Sequence, residues 1–189
     1  MPGRLVIDAC CTLNVLATQI EIDIVRACDL GLIISDRAHG ETLYLHSPPD
    51  DDGVRLKRLV STEHLRAAGH LEIRQLDTPA LVDAFVECAE QLRDADASCV
   101  ALAGVLNLPL MTDDGKEKRV ARAIFPRIEL VSTLSVLHDT ARLLNLREDD
   151  LLRLAANLRW GGNFAPPRKD PHSSWYADLL RKAGLPSAE

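Results

Sequence analysis

Three short apolar runs, each closing on polar residues, constrain this chain more than any other feature. They are Leu5–Val6–Ile7 before Asp8, Leu32–Ile33–Ile34 before Ser35 and Asp36, and Leu108–Pro109–Leu110–Met111 before Thr112, Asp113 and Asp114. Apolar runs this short, without alternation, are what strands buried on both faces require. Helical spacing follows each run: Leu13, Leu16 and Ala17 after the first, His39, Glu41 and Leu45 after the second, Val120 and Ala121 after the third. Strands alternating with helices need crossover connections, and these place helices on both faces of a parallel sheet. The expected fold is therefore α/β: a three-layer α/β/α sandwich with a mostly parallel central sheet over residues 1–145, plus a helical and Pro-rich C-terminal extension over 146–189.

Between the runs, Ser47 to Gly53 (SPPDDDG) reads as an exposed loop, and a helix is expected from about Val54 to Ala68, ending at Gly69. Leu71 to Leu76 alternates apolar and polar residues, as a strand with one exposed face does. Thr78 caps a helix with Pro79 in its first turn and an apolar stripe of Leu81, Val82, Phe85, Val86 and Ala89. A second helix is expected from about Asp94 to Leu106, and a last strand from Ile128 to Val131. In the extension, Glu148 to Leu158 forms an amphipathic helix stopped by Gly161 and Gly162, and FAPPRKDPHSS leads to a final short helix ending near Gly184.

A net charge of −6 argues against a protein that coats nucleic acid through bulk attraction. Basic residues gather locally instead, at Lys116, Lys118, Arg119, Arg122 and Arg127, and again at Arg159, Arg168, Lys169, Arg181 and Lys182. The five cysteines form no C-x-x-C pair that would suggest zinc, and they suit a reducing cytoplasm. The N-terminus lacks a signal-peptide pattern, and no segment is long and apolar enough to cross a bilayer, so no membrane partner is expected.

Ligands of open parallel sheets bind outside the carboxyl ends of the strands. Asp8 and Asp114 both follow strands there, although an Asp in that position also caps helices. Asp96 is harder to explain structurally, because its helical face continues through Cys99, Val100 and Ala103 and so lines up with the buried stripe. Asp94 is read more simply as an N-cap or first-turn acid. Glu41, on the helix after the second strand, is expected to face the same strand ends. Carboxylates gathered this way repel one another unless protons or a cation compensate. All-oxygen ligands favour Mg²⁺ or Mn²⁺ completed by substrate phosphate oxygens, which points to phosphodiester hydrolysis.

LVIDACCTLNVLA resembles the first strand and turn of PIN domains, DADASCVALA resembles their acid-led Ala-rich helix, and PLMTDDGKEKRVA resembles their strand followed by T-x-D. ISDRAHGETLYL supplies the Glu-bearing helix in the matching order. The resemblance covers about residues 4–131 and implies a metal-dependent ribonuclease. It gives Asp8, Glu41, Asp96 and Asp114 as the catalytic acids, with the metal held by Asp8, Asp96 and Asp114. Thr12, Asn14, Thr112 and Asp113 are expected to support them by hydrogen bonding or, for Asp113, to compete with Asp114. Lys116, Lys118, Arg119 and Arg122 are expected to hold RNA phosphates. The family pattern departs at Cys10, where a polar residue is common, and in the long segment from Ser47 to Asp77. Many bacterial members are toxins silenced by an antitoxin, so an antitoxin-like partner belongs to the expectation. The alternative is a catalytically inactive PIN-like module that binds RNA or protein.

Signatures of rival functions are missing: no G-x-G-x-x-G, no G-x-x-x-x-G-K-[ST] and no second Asp two positions after Asp8. The tail, with Trp160, Phe164, Pro166, Pro167 and Trp175, is expected to be a docking element outside the catalytic fold. Its aromatics need a covering surface, which is its own domain, a second copy of the chain in a homodimer, or a partner.

Overall fold

The computed structural model describes residues 3–186. In chain order it contains β1 (Gly3–Ile7), α1 (Ala9–Ala17), α2 (Glu21–Ala27), β2 (Leu30–Ser35), α3 (Asp36–Glu41), β3 (Tyr44–His46), β4 (Lys57–Leu59), α4 (Glu63–Ala67) and β5 (Leu71–Arg74). The second half contains α5 (Pro79–Ala89), α6 (Asp94–Leu106), β6 (Leu110–Met111), α7 (Gly115–Ile124), β7 (Leu130–Val131), α8 (Thr133–Leu143), α9 (Glu148–Trp160) and α10 (Ser173–Lys182).

Five strands form one sheet in the order β5-β2-β1-β6-β7, and every pairing in it is parallel. The apolar runs occupy its middle, where Val6, Ile7, Leu32, Ile33, Ile34 and Leu110 are buried. From the central β1 the chain winds outward through β2 to β5, then returns to β6 and β7 on the other side of β1, with α3, α5 and α6 packed together and α1 and α2 packed with α8. The result is a three-layer α/β/α sandwich. Helix α6 lies against β1, β2 and β6 under α5, and its small residues Ala97, Cys99, Ala101 and Ala103 let it sit close to the sheet while buried all round.

Three expectations are corrected. The segment from Val54 to Ala68 is not one helix: β4 pairs with β3 in an antiparallel hairpin, and only Glu63–Ala67 turns helical before Gly69, which adopts a φ of +75°. The apolar spacing of Val54, Leu56 and Leu59 suits either element, and pairing with Tyr44–His46 decides for strand. Helix α3 ends at Glu41, so Leu45 belongs to β3. In α5 the buried residues are Leu81, Ala84 and Cys88, while Val82 and Val86 face outward. Helix α2 and the helix α8 that packs on it were outside the sequence reading.

The C-terminal extension folds back onto the sandwich. Leu154, Ala155, Leu158, Phe164, Tyr176, Leu179 and Leu180 share one buried cluster with the sheet residues. Gly161 and Gly162 do stop α9, through close approach: a Cβ on Gly161 would lie 3.2 Å from Ala17 Cβ, and one on Gly162 would lie 2.6 Å from Asn14 Oδ1. Asn163 then takes the left-handed turn at a φ of 51°. Among the described residues no helix is long and apolar enough to cross a membrane. All five cysteines are free thiols.

Candidate functional site

The strand order creates the site. The winding reverses between β1 and β6, and in open α/β sheets the crevice at such a switch point, outside the carboxyl ends of the strands, is where ligands bind. Asp8 follows β1, and Thr112 to Asp114 follow β6. Pairing of Ile7 with Met111 delivers these residues side by side, and Asp8 N donates to Met111 O at 3.1 Å.

Asp8 and Asp114 both cap helices. Asp8 Oδ1 accepts from Cys11 N at 2.5 Å at the start of α1, and Asp114 Oδ1 accepts from Lys116 N at 2.6 Å and Glu117 N at 2.9 Å at the start of α7. Capping thus uses one oxygen of each carboxylate, leaving Oδ2 outside the cap. Asp8 is buried, and burial pushes its carboxyl up to about 6; nearby Asp113 adds to this, against the Cys11 N–H and the Thr112 hydroxyl.

Asp96 stands half-buried in the first turn of α6. That turn is fastened to the strand ends by the Ser35–Ser98 hydroxyl pair at 2.6 Å and by Cys99 Sγ, which donates to Ile7 O at 3.6 Å. Burial raises the Asp96 carboxyl, Asp114 and Glu41 raise it further, and Arg93 and Lys116 oppose them. Asp96, Asp114 and Glu41 are therefore electrostatic neighbours, with Glu41 exposed on the rim at the end of α3. Asp94 is a first-turn acid, paired outward with Arg37 at 3.2 Å.

Sequence reasoning missed Glu117. It is 1% exposed, its Oε2 accepts the Thr112 hydroxyl at 2.6 Å, and its Oε1 is buried with no hydrogen-bond partner. Burial, then Asp8, pushes this carboxyl up to about 9, and Asp96 and Asp114 add to the shift. The signal that singles out Asp96 also marks Glu117, because Val120 and Ala121 continue its face at i+3 and i+4. Its neighbours Lys116, Lys118 and Arg119 disguise the position as solvated. Cys10 lies at the mouth of this cluster: its thiol is pushed up to about 11 by partial desolvation and then by Asp8, Asp96, Glu117 and Asp114.

The expected supporting residues divide. Thr112 sits between the acids, bonding Glu117 and accepting from Asp114 N at 3.1 Å. Asp113 is turned to the start of α8, where it accepts from Thr133 N at 3.1 Å, and it also accepts from Cys11 Sγ at 3.4 Å. Thr12 spends its hydroxyl on the Asp8 carbonyl one helical turn back, at 2.7 Å, and so bonds no carboxylate. Asn14 donates to Thr133 Oγ1 at 3.5 Å and packs against Gly162, which places it on the α8 and tail side of α1. Of the basic residues, Lys116 lowers the Asp96 carboxyl through its charge, while Lys118, Arg119 and Arg122 line a groove beginning at Gly115.

Asp8, Asp96, Asp114 and Glu117 influence one another electrostatically, and Glu117 has an orphaned buried oxygen; their donors are all hard oxygens, the kind a divalent cation such as Mg²⁺ takes. Among the described residues no three carboxylate, histidine or cysteine side chains are placed so that together they could hold a metal ion. Mg²⁺ is commonly held by only one or two carboxylates, with waters and substrate phosphates completing its shell. Compared with protein-family models, curated proteins and solved structures, the chain matches none of them.

Proposed function

We propose that this protein is an Mg²⁺- or Mn²⁺-dependent endoribonuclease that hydrolyses RNA phosphodiester bonds at Asp8, Asp96, Asp114 and Glu117, with Glu41 at the rim. The observation that carries this reading is Glu117 Oε1, a carboxylate oxygen buried without a partner beside three other acids at the switch point of a parallel sheet. A buried polar atom of this kind is costly unless a proton or cation meets it. The resemblance to PIN domains supports the same conclusion from residues that do not include Glu117.

Asp8, Asp96, Asp114 and Glu117 would hold the cation, which when bound polarises a phosphate and activates a water. The chain's own residues do the rest. Helix capping fixes Asp8 and Asp114, so each presents its second oxygen from a rigid helix start. Thr112 orients Glu117 and Lys116 offsets part of the negative charge at Asp96. In the absence of a cation Glu117 keeps its proton at neutral pH, which lets the acids sit together without unfolding the site.

The test is cleavage of a mixed RNA pool by the purified chain in Mg²⁺ or Mn²⁺, beside an Asp8→Asn variant, in which Asn still caps the helix. Metal-dependent cleavage that the variant loses supports the assignment. RNA bound by both proteins but cut by neither would overturn the enzymatic reading in favour of a binding module.

A further inference from the structure

The two basic clusters, separated in sequence by the whole of β7, α8 and α9, meet in one place. Lys118, Arg119 and Arg122 of α7 form one wall of a groove of about 780 Å³, and Arg168 and Lys169 of the loop before α10 form the other. Gly115, directly after Asp114, and Ser132, directly before the Thr133 that Asp113 bonds, lie on its lining, so the groove opens beside the acids.

Among the described residues none of these five cations forms an ion pair, although the chain has 28 acids and 22 Lys and Arg. Arg119 donates only to Gly115 O, at 3.1 Å. In an acidic chain, unpaired cations concentrated on facing walls point to an anionic ligand. Among the described residues that line the groove Asp170 is the one acid; it is 8% exposed and its Oδ1 accepts from His172 N at 2.8 Å. The loop that carries Arg168 and Lys169 is stiff: Pro167 and Pro171 bracket it, and Asp170 N donates to Pro167 O at 2.9 Å. No aromatic ring is among the described residues that line the groove, so it offers phosphate contacts without base stacking.

We propose that Arg168 and Lys169 complete a track for the backbone of single-stranded RNA, holding phosphates next to the one cleaved, so that the C-terminal extension is part of substrate binding. This rests on the ribonuclease reading for its choice of RNA. Arginine forks and lysine ammonium groups on two walls clasp successive phosphates and read no base, which makes the track tolerant of sequence.

Binding is measured on the full chain by anisotropy with labelled single-stranded RNA of mixed sequence, in EDTA so that nothing is cut. With the charge-neutral R168Q/K169Q variant, the slope of log affinity against log salt should shrink by about 1.4, at roughly 0.7 per phosphate contact on a single strand. With R168E/K169E, affinity near 0.1 M salt should fall about tenfold or more for every sequence tried. Both residues are exposed, so the thermal transition should stay in place. Unchanged affinity and slope in both tail variants, with loss in K118E/R122E, would overturn the second wall. Displacement of RNA by polyglutamate at equal charge concentration would overturn the phosphate assignment. Tail-dependent RNA binding in a protein that never cuts RNA in Mn²⁺ would uphold the track and remove the nuclease reading.

Discussion

The Thr112 hydroxyl donates to Glu117 Oε2 at 2.6 Å and pins a buried carboxylate whose other oxygen meets no donor. Burial and Asp8 push this carboxyl up from 4.5 to about 9. A folded-state value above the unfolded one contributes stability that is fully present below pH 4.5 and is lost as pH rises toward about 9. Without metal, the melting temperature should therefore fall across that window, and Glu117→Gln should flatten the decline. Mn²⁺ must displace the proton, so its stabilising effect should grow with pH and its binding should release protons, read by calorimetry in buffers of different ionisation enthalpy. An equal Mn²⁺-induced shift at pH 5.5 and 8 would remove Glu117 from the site.

Thr112→Val tests the same pair from the other side. The substitution nearly keeps the shape but removes the hydroxyl that lowers both Asp8 and Glu117. The pH midpoint for Mn²⁺ binding should move upward, with weaker affinity at neutral pH. A midpoint identical to wild type would make the hydroxyl a structural bond only.

Asp96→Asn should cut RNA cleavage by more than about tenfold, since an amide keeps the side-chain shape but weakens metal binding. The fold should be kept, and removing a carboxyl that burial, Asp114 and Glu41 all destabilise should leave thermal stability equal or higher. Asp94→Asn is the matched control: Asp94 points outward to Arg37, and its loss should leave cleavage unchanged. Single-turnover rates of the two variants distinguish these roles.

The sandwich was legible because β1, β2 and β6 are buried on both faces and therefore continuous in apolar character, with helix signals between them. Asp8, Asp96 and Asp114 were legible for related reasons, two as strand-end acids and one as an acid in line with a buried stripe. Glu117 was hidden because its neighbours Lys116, Lys118 and Arg119 read as a solvated helix face, while Asp8 and Asp96, which face it, lie far away in the sequence. Strand β4 was hidden because the apolar residues before and within it, Leu56 and Leu59, are exposed and leave no burial pattern to read. Likewise Arg168 and Lys169 meet Lys118 and Arg122 only through tertiary packing, which no local spacing encodes.

That packing also decides what truncation after Leu158 does. If the extension were a separate docking element, its removal would leave the thermal transition of the sandwich intact. Phe164 and Tyr176 are instead almost fully buried, their rings meet edge to face at 5.5 Å, and Tyr176 Oη donates to Ala155 O at 3.4 Å. Removing them with Leu179 and Leu180 would bare Leu154 and Leu158 on α9 and open the face of α1 that receives Gly161 and Gly162. Each fully buried large apolar side chain contributes about 1.5–3 kcal/mol, so the loss is comparable to the whole stability of a domain, about 5–15 kcal/mol. Truncation should therefore give an insoluble or largely unfolded chain. Phe164→Ala, at about 3–5 kcal/mol, should lower the melting temperature steeply while the protein still folds. Gly162→Ala should act in the same direction by forcing a Cβ to within 2.6 Å of Asn14 Oδ1. A truncated chain that melts at the wild-type temperature would restore the view of the tail as a separate module, and the groove between α7 and Arg168 would then be a contact between independent parts.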